Sequence, residues 1–160
     1  MQNPKLHAQV SKINNLFDKT KTIDDLELQG QWGRYLCILV AGFVENSLCE
    51  LFQVYSDRRT DPIVLNFVRK KINEYQNPKA SRFVEVARIF DESWAGEIEN
   101  FFANNPSSKD AIDSIMTNRH KIAHGGDSGV SIVTVKKYYS DLLRFLHFLE
   151  MDVLKLAPYN

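Results

Sequence analysis

From about residue 24 to 57 the chain carries its longest continuous apolar pattern, through Trp32, Tyr35, Leu36, Ile38, Leu39, Val40, Phe43, Val44, Leu48, Leu51, Phe52 and Val54. Recurrence at three- and four-residue steps reads as one long helix, and its middle is apolar nearly all round. Such a helix needs neighbours on every side, so it belongs at the centre of a helical bundle. Gly30, Gly33 and Gly42 each cost it about 1 kcal/mol relative to alanine, which close packing or a bend would explain. Glu45 and Asn46 interrupt the buried stretch; either they lie on a solvent-facing strip or they serve a site.

Further amphipathic patterns surround this one. Pro4 suits a first helical position, and Leu6, Val10, Ile13 and Phe17 form a stripe from about 4 to 19. Asp61-Pro62 reads as an N-cap and first residue of a helix from about 62 to 76, with Ile63, Leu65, Phe67, Val68 and Ile72 inward and Arg69-Lys70-Lys71 on its flank. Asn77-Pro78 ends it. Two shorter helices are expected at about 80–91 (Phe83, Val84, Val86, Ala87, Phe90) and 94–103 (Trp94, Ile98, Phe101, Phe102). After the loop Asn104–Ser108, Ser107 or Ser108 is expected to cap a helix with Ile112, Ile115 and Met116 inward, stopped by Gly125-Gly126. Ser131 or Thr134 starts the last helix, to about 156. No strand-like alternation of useful length and no internal repeat appears. The expected fold is all-α: a single domain over 1–160, a bundle of four to five main helices with one or two short extra ones.

Composition narrows the function classes. A chain of 160 residues buries roughly 70% of its unfolded surface, enough to dispense with disulfides and metal staples. Cys37 and Cys49 lie in one predicted helix, about 18 Å apart at 1.5 Å per residue, and cannot pair there. Lysine plus arginine (20) balances aspartate plus glutamate (20), so no long-range field draws in a polyanion and any nucleic-acid contact needs a local patch. The polar start and the lack of about 18 consecutive uncharged apolar residues lead to the expectation of a cytoplasmic protein with no membrane partner.

The stretch with chemistry in it is Asn118-Arg119-His120-Lys121-Ile122-Ala123-His124-Gly125-Gly126. It ends a patterned helix and runs into a glycine-rich loop, a setting that often holds functional side chains. Arg119 and His124 are five residues apart, which leaves them about 140° apart around a straight helix. They can converge if the helix loosens at the glycines, or if a second copy packs alongside and both chains line one cleft. His120 and His124, four apart, share a face and invite a metal reading. Position 121, however, is lysine where a zinc-protease helix has glutamate, and a cation there opposes a metal. No metal and no cofactor is expected. Three glycines in Gly125–Gly129 suggest a mobile segment; their spacing is not that of a nucleotide-hydrolase phosphate loop, so no ATP or GTP hydrolysis is expected. His7 and His147 read as structural or surface residues.

Arg119-His120-x3-His124 at the end of the penultimate long helix of a small all-α chain resembles the HEPN superfamily (higher eukaryotes and prokaryotes nucleotide-binding). The resemblance runs from about Tyr35 to Val153, includes Phe43-Val44-Glu45-Asn46 and the closing Tyr138–Leu149 helix, and is closest to the RiboL-PSP branch. It implies a metal-independent endoribonuclease, dimeric, with the motifs meeting at the interface, of the kind found in toxin–antitoxin, phage-defence and RNA-processing systems, some with an antitoxin or processing partner. Arg119 and His124 would then be catalytic, and His120, Glu45 and Asn46 accessory. Another branch carries a tyrosine two residues after the histidine; Gly126 stands there, so regulation by modifying such a tyrosine is not expected.

The residue types fit the chemistry. Histidine titrates near neutrality and can take a proton from a ribose 2′-hydroxyl or give one to the leaving 5′-oxygen. Arginine's planar fork can hold two phosphate oxygens as charge builds in the phosphorane. Attack by the 2′-hydroxyl needs no metal, restricts the reaction to RNA and leaves a 2′,3′-cyclic phosphate. Lys121, Arg69, Lys70, Lys71, Lys136 and Lys137 are candidate RNA-backbone contacts, or solvated faces. The bland alternatives are that Arg119 answers the helix dipole or a carboxylate, and that His124 bonds free carbonyls at the helix end. A non-catalytic dimeric module that holds RNA or a protein in the same cleft is the competing function.

Overall fold

The computed structural model describes residues 2–156 and is helical throughout, with no strand among them. Seven α-helices follow in order: α1 (Pro4–Lys19), α2 (Leu26–Asp57), α3 (Pro62–Asn73), α4 (Ala80–Phe90), α5 (Glu92–Asn104), α6 (Pro106–Ala123) and α7 (Ile132–Phe148). The expected division into four or five main helices and minor extras does not match. The short α4 and α5 are part of the core in their own right, with Phe83, Val86 and Ala87 buried on one and Ala95 and Ile98 on the other.

The all-round apolar helix is central, as its pattern requires. α2 packs against α1, α3, α6 and α7, and its buried face runs from Leu36 through Val40, Val44 and Leu48 to Phe52. By length and composition α2 is also the one described helix that could cross a membrane, but most of its apolar surface is taken up by these neighbours. α1 adds Leu6, Ile13 and Phe17 as expected, and α7 adds Val135, Leu142, Phe145 and Leu146. Phe101 stacks on Phe148 with ring centroids 4.4 Å apart, tying α5 to the end of α7.

Most helices are capped by the residue that precedes them, and two helix starts are held by side chains distant in sequence. Asn3, Asp25, Asp61, Asp91 and Ser131 cap their own helices through backbone N–H groups. α4 is capped instead by Asp113 of α6, which accepts from Ala80 N–H at 2.8 Å. The serine cap expected for α6 is absent: that helix opens at Pro106, and Ser108 is fully buried with its Oγ donating to the Asp141 carbonyl at 2.9 Å. Pinning the start of α6 to the far part of α7 makes the two helices an antiparallel hairpin, whose connecting loop follows His124. α7 finishes in a π-helical turn, Leu149–Val153, where the buried Glu150 accepts the backbone N–H groups of Gln2 and Asn3 at 2.9 and 2.7 Å. α3 departs most from expectation. Ile63 and Phe67, read as inward, are 83% and 62% exposed, and only Ile72 of this helix is buried.

Candidate active site at the end of α6

The apolar stripe of α6 runs Ser108, Ala111, Ile112, Ile115, Met116. Arg119 continues that stripe one turn on and is half-buried. His120 and His124 occupy the exposed face instead, with ring centroids 4.4 Å apart. One imidazole therefore buttresses the other.

The helix end is closed by backbone alone. His124 is the C-cap residue, Gly125 turns left-handed at φ +72°, and Gly125 and Gly126 N–H groups donate to the carbonyls of Ile122 and Lys121 at 3.1 and 2.8 Å. These two bonds together form a Schellman motif, which satisfies the carbonyls that a terminal histidine or arginine would otherwise bond. Among the described residues neither Arg119 nor His124 has a side-chain hydrogen bond or ion pair. The carbonyl-bonding role expected for His124 is thus filled by backbone N–H groups, and Arg119 pairs with no carboxylate among the described residues.

The loop after His124 is tethered rather than free. Arg34 of α2 pairs with Asp127 at 3.0 Å, and Asp127 also accepts Gly129 N–H at 3.1 Å. These two contacts, the backbone one foremost, hold the Asp127 carboxyl below its ordinary range. Gly33 explains itself here: a Cβ at that position would come within 2.5 Å of the Val130 carbonyl oxygen, so only glycine lets the loop lie on α2. Gly30 and Gly42 meet nothing comparable.

The helix stays regular through Ala123, and His124 keeps its i, i+4 contact with His120. Loosening at the glycines therefore does not swing His124 toward Arg119 within one chain. Of the remaining candidates, Lys121 is exposed on α6 and shares a polar trough of about 400 Å³ with Asp113, Ser114, Thr117 and Asn118. That trough was legible as an i, i+3, i+4, i+7 set of polar residues. Lys136 and Lys137 are exposed near the start of α7, at the same end of the hairpin as the motif, with Lys136 close enough to Asp18 to lower its carboxyl slightly after Lys21 has done so.

Arg69, Lys70 and Lys71 lie elsewhere. α3 runs beside the last turns of α2, where Cys49 donates to the Ile72 carbonyl and Gln53 to Asn73, whereas α6 meets α2 at Cys37, whose thiol donates to the Ile115 carbonyl. Counting residues 37 to 53 along α2 separates the two regions by roughly 25 Å. Arg69 is moreover held by both oxygens of Asp57. Glu45 accepts Asn77 N–H at 2.9 Å and Asn46 reaches Gln9 at 3.5 Å, so the bonds of this pair run to the α3–α4 loop and to α1. Arg34, the anchor of the loop, was missed by sequence reasoning, because an arginine 93 positions away in sequence carries no local signal.

Among the described residues no third histidine, cysteine, aspartate or glutamate joins His120 and His124 in a cluster able to hold a metal ion. No curated protein and no solved structure matches the chain significantly. The family model described as RiboL-PSP-HEPN matches residues 6–154, from the first turn of α1 to the end of the π-helical turn, with the Arg119–His124 stretch inside it. The chain belongs to the RiboL-PSP-HEPN family.

Proposed function

We propose that this chain is a single HEPN domain acting as a metal-independent endoribonuclease in a homodimer. The family points to RNA cleavage or RNA binding as the class of function. The observation that favours cleavage is the pairing of an arginine and a histidine whose side chains bond no carboxylate and no carbonyl among the described residues, at a helix end that glycine backbone already closes. Arg119 stabilises the charge that accumulates on the phosphate, and His124 transfers the proton at the 2′-hydroxyl or the leaving 5′-oxygen. His120 fixes the orientation of the His124 ring. Lys121, Lys136 and Lys137, at the same end of the α6–α7 hairpin, neutralise flanking phosphates.

Because Arg119 and His124 point to different sides of a regular helix, the active cleft requires Arg119 of one copy and His124 of the other. The test is incubation of purified protein with a structured RNA, with and without EDTA. The expected outcome is cleavage that survives chelation, leaves 2′,3′-cyclic phosphate ends and spares a substrate with a 2′-deoxy nucleotide at the cut site. Binding without cleavage would favour the non-catalytic module, and loss of activity on chelation would return the histidine pair to consideration as a metal site.

A further inference from the structure

Nine large apolar side chains stand exposed among the described residues, and four of them belong to neighbouring helices, Ile63, Val64 and Phe67 to α3 and Ile89 to α4. Phe67 and Ile89 line, with Val68, Tyr75, Val86 and Phe90, a cleft of about 360 Å³ between α3 and α4, and Ile63 and Val64 precede Phe67 by one helical turn. Ile63 and Phe67 are four residues apart and share a face, and Lys70 and Lys71 continue that face by one turn. An apolar row of this kind left in water is costly unless something covers it. α3 is therefore a helix with its inner side on α2 and a second apolar side without a partner.

Charge says what the cover is made of. From Asp57 to Glu74 the sequence holds five cations, Arg58, Arg59, Arg69, Lys70 and Lys71, against three acids, Asp57, Asp61 and Glu74, a local excess of positive charge in a chain whose formal net charge is zero. These cations bracket the apolar row at both ends of α3. Lys71 itself lines the cleft, and its pair with Glu74 is more than half exposed on both sides, so a partner's carboxylate can replace it at little cost. Lys70 has no carboxylate within reach among the described residues.

The shape decides between classes of partner. The site is concave and formed by two helices, which suits side chains inserted from a third helix at i, i+3, i+4 and i+7; a flat bilayer surface would leave the floor at Val68 and Phe90 empty. No strand edge exists among the described residues to pair with an extended peptide. We propose that the α3–α4 cleft docks an amphipathic helix of a partner protein, apolar on the entering face and rich in carboxylates along its edges. This assigns the Arg69-Lys70-Lys71 run to protein recognition, independently of the RNA reading.

The probe is a labelled amphipathic leucine/glutamate helix about four turns long, compared with a leucine/lysine peptide of the same apolar face, by fluorescence anisotropy on the full chain. Saturable binding of the acidic peptide, weakened by salt and at least about tenfold weaker in Phe67→Asp and Ile89→Asp, is expected. Lys70→Glu with Lys71→Glu should reverse the preference toward the basic peptide. All four side chains are on the surface, and unchanged circular dichroism melts establish that each variant is folded. Failure of the acidic peptide to bind, equal binding of both peptides, indifference to Phe67→Asp, self-association through the cleft, or sedimentation with anionic vesicles in its place would each overturn the proposal.

Discussion

Arg119 combines half-burial with freedom from any partner, and this separates its structural and chemical contributions. Replacing it with alanine removes no ion pair, so Arg119→Ala should lower stability by less than about 1 kcal/mol while reducing RNA cleavage by about 100- to 1,000-fold; a thermal melt beside a cleavage time course checks both. Arg119→Lys should not restore full rate, because the ammonium loses the bidentate fork. His124→Ala should cost about 100- to 10,000-fold, and His120→Ala less, since it acts through the neighbouring ring. Cys37 gives the pH dependence of the core. Burial beside α6 pushes its thiol up to about 11 from an ordinary value of 9.0. The unfolded chain therefore loses this proton first, and the thiol's contribution to stability is intact below about pH 9 and lost as pH rises through 11, at most about 3 kcal/mol in total. Tyr139, raised by burial too, acts in the same sense at higher pH. Chemical denaturation at stepped alkaline pH should show this decline, and Cys37→Ala should flatten it.

At the scale of elements, the contact between α2 and the loop after α6 separates two glycines that look alike in sequence. Gly33→Ala drives a methyl into the Val130 carbonyl, and the clash should outweigh the helix-propensity gain, for a net loss of about 1–3 kcal/mol and a fall of several degrees in Tm. Gly42→Ala meets open space and should gain up to about 1 kcal/mol. The same loop responds to acid. Asp127 is depressed by Gly129 N–H and Arg34, so its tether holds above the ordinary carboxylate range and is released as pH falls through the lowered value. Hydrogen exchange at the Gly129 amide should lose protection in Asp127→Asn and Arg34→Ala at neutral pH. If protection is unchanged in both, the loop is held by Gly33 packing alone.

For the whole molecule, the decisive matter is whether two chains share a site. Light scattering should report a dimer at micromolar concentration. Mixing Arg119→Ala with His124→Ala, each inactive alone, gives heterodimers in which one cleft regains both residues, and random exchange should recover about a quarter of wild-type activity. A site built within one chain recovers nothing in that mixture, so absence of complementation in exchanged dimers would falsify the shared cleft. The α3–α4 cleft lies at the other end of α2 from the Arg119–His124 stretch, so charge reversal at Lys70 and Lys71 should leave cleavage by the dimer intact.

The sequence by itself determined the helices and the centre of the bundle, because helical periodicity is local: the stripe of α1, the all-round apolar middle of α2 and the glycine stop after His124 are each fixed by residues within a few turns. It also carried the Arg119-His120-x3-His124 motif and with it the family. The tertiary structure alone decided which apolar side of α3 meets the core: Ile63 and Phe67 lie about 140–180° around the helix from Ile72, and α2 takes the side of Val68 and Ile72 and leaves the other in water. It alone removed the serine cap of α6, by offering Ser108 a carbonyl on α7, and it alone set Arg34 on Asp127 and Glu150 on the first turn of α1. Each of these bonds joins residues far apart in the chain, and a pairing of that kind acquires its energy only when the bundle has brought the partners together.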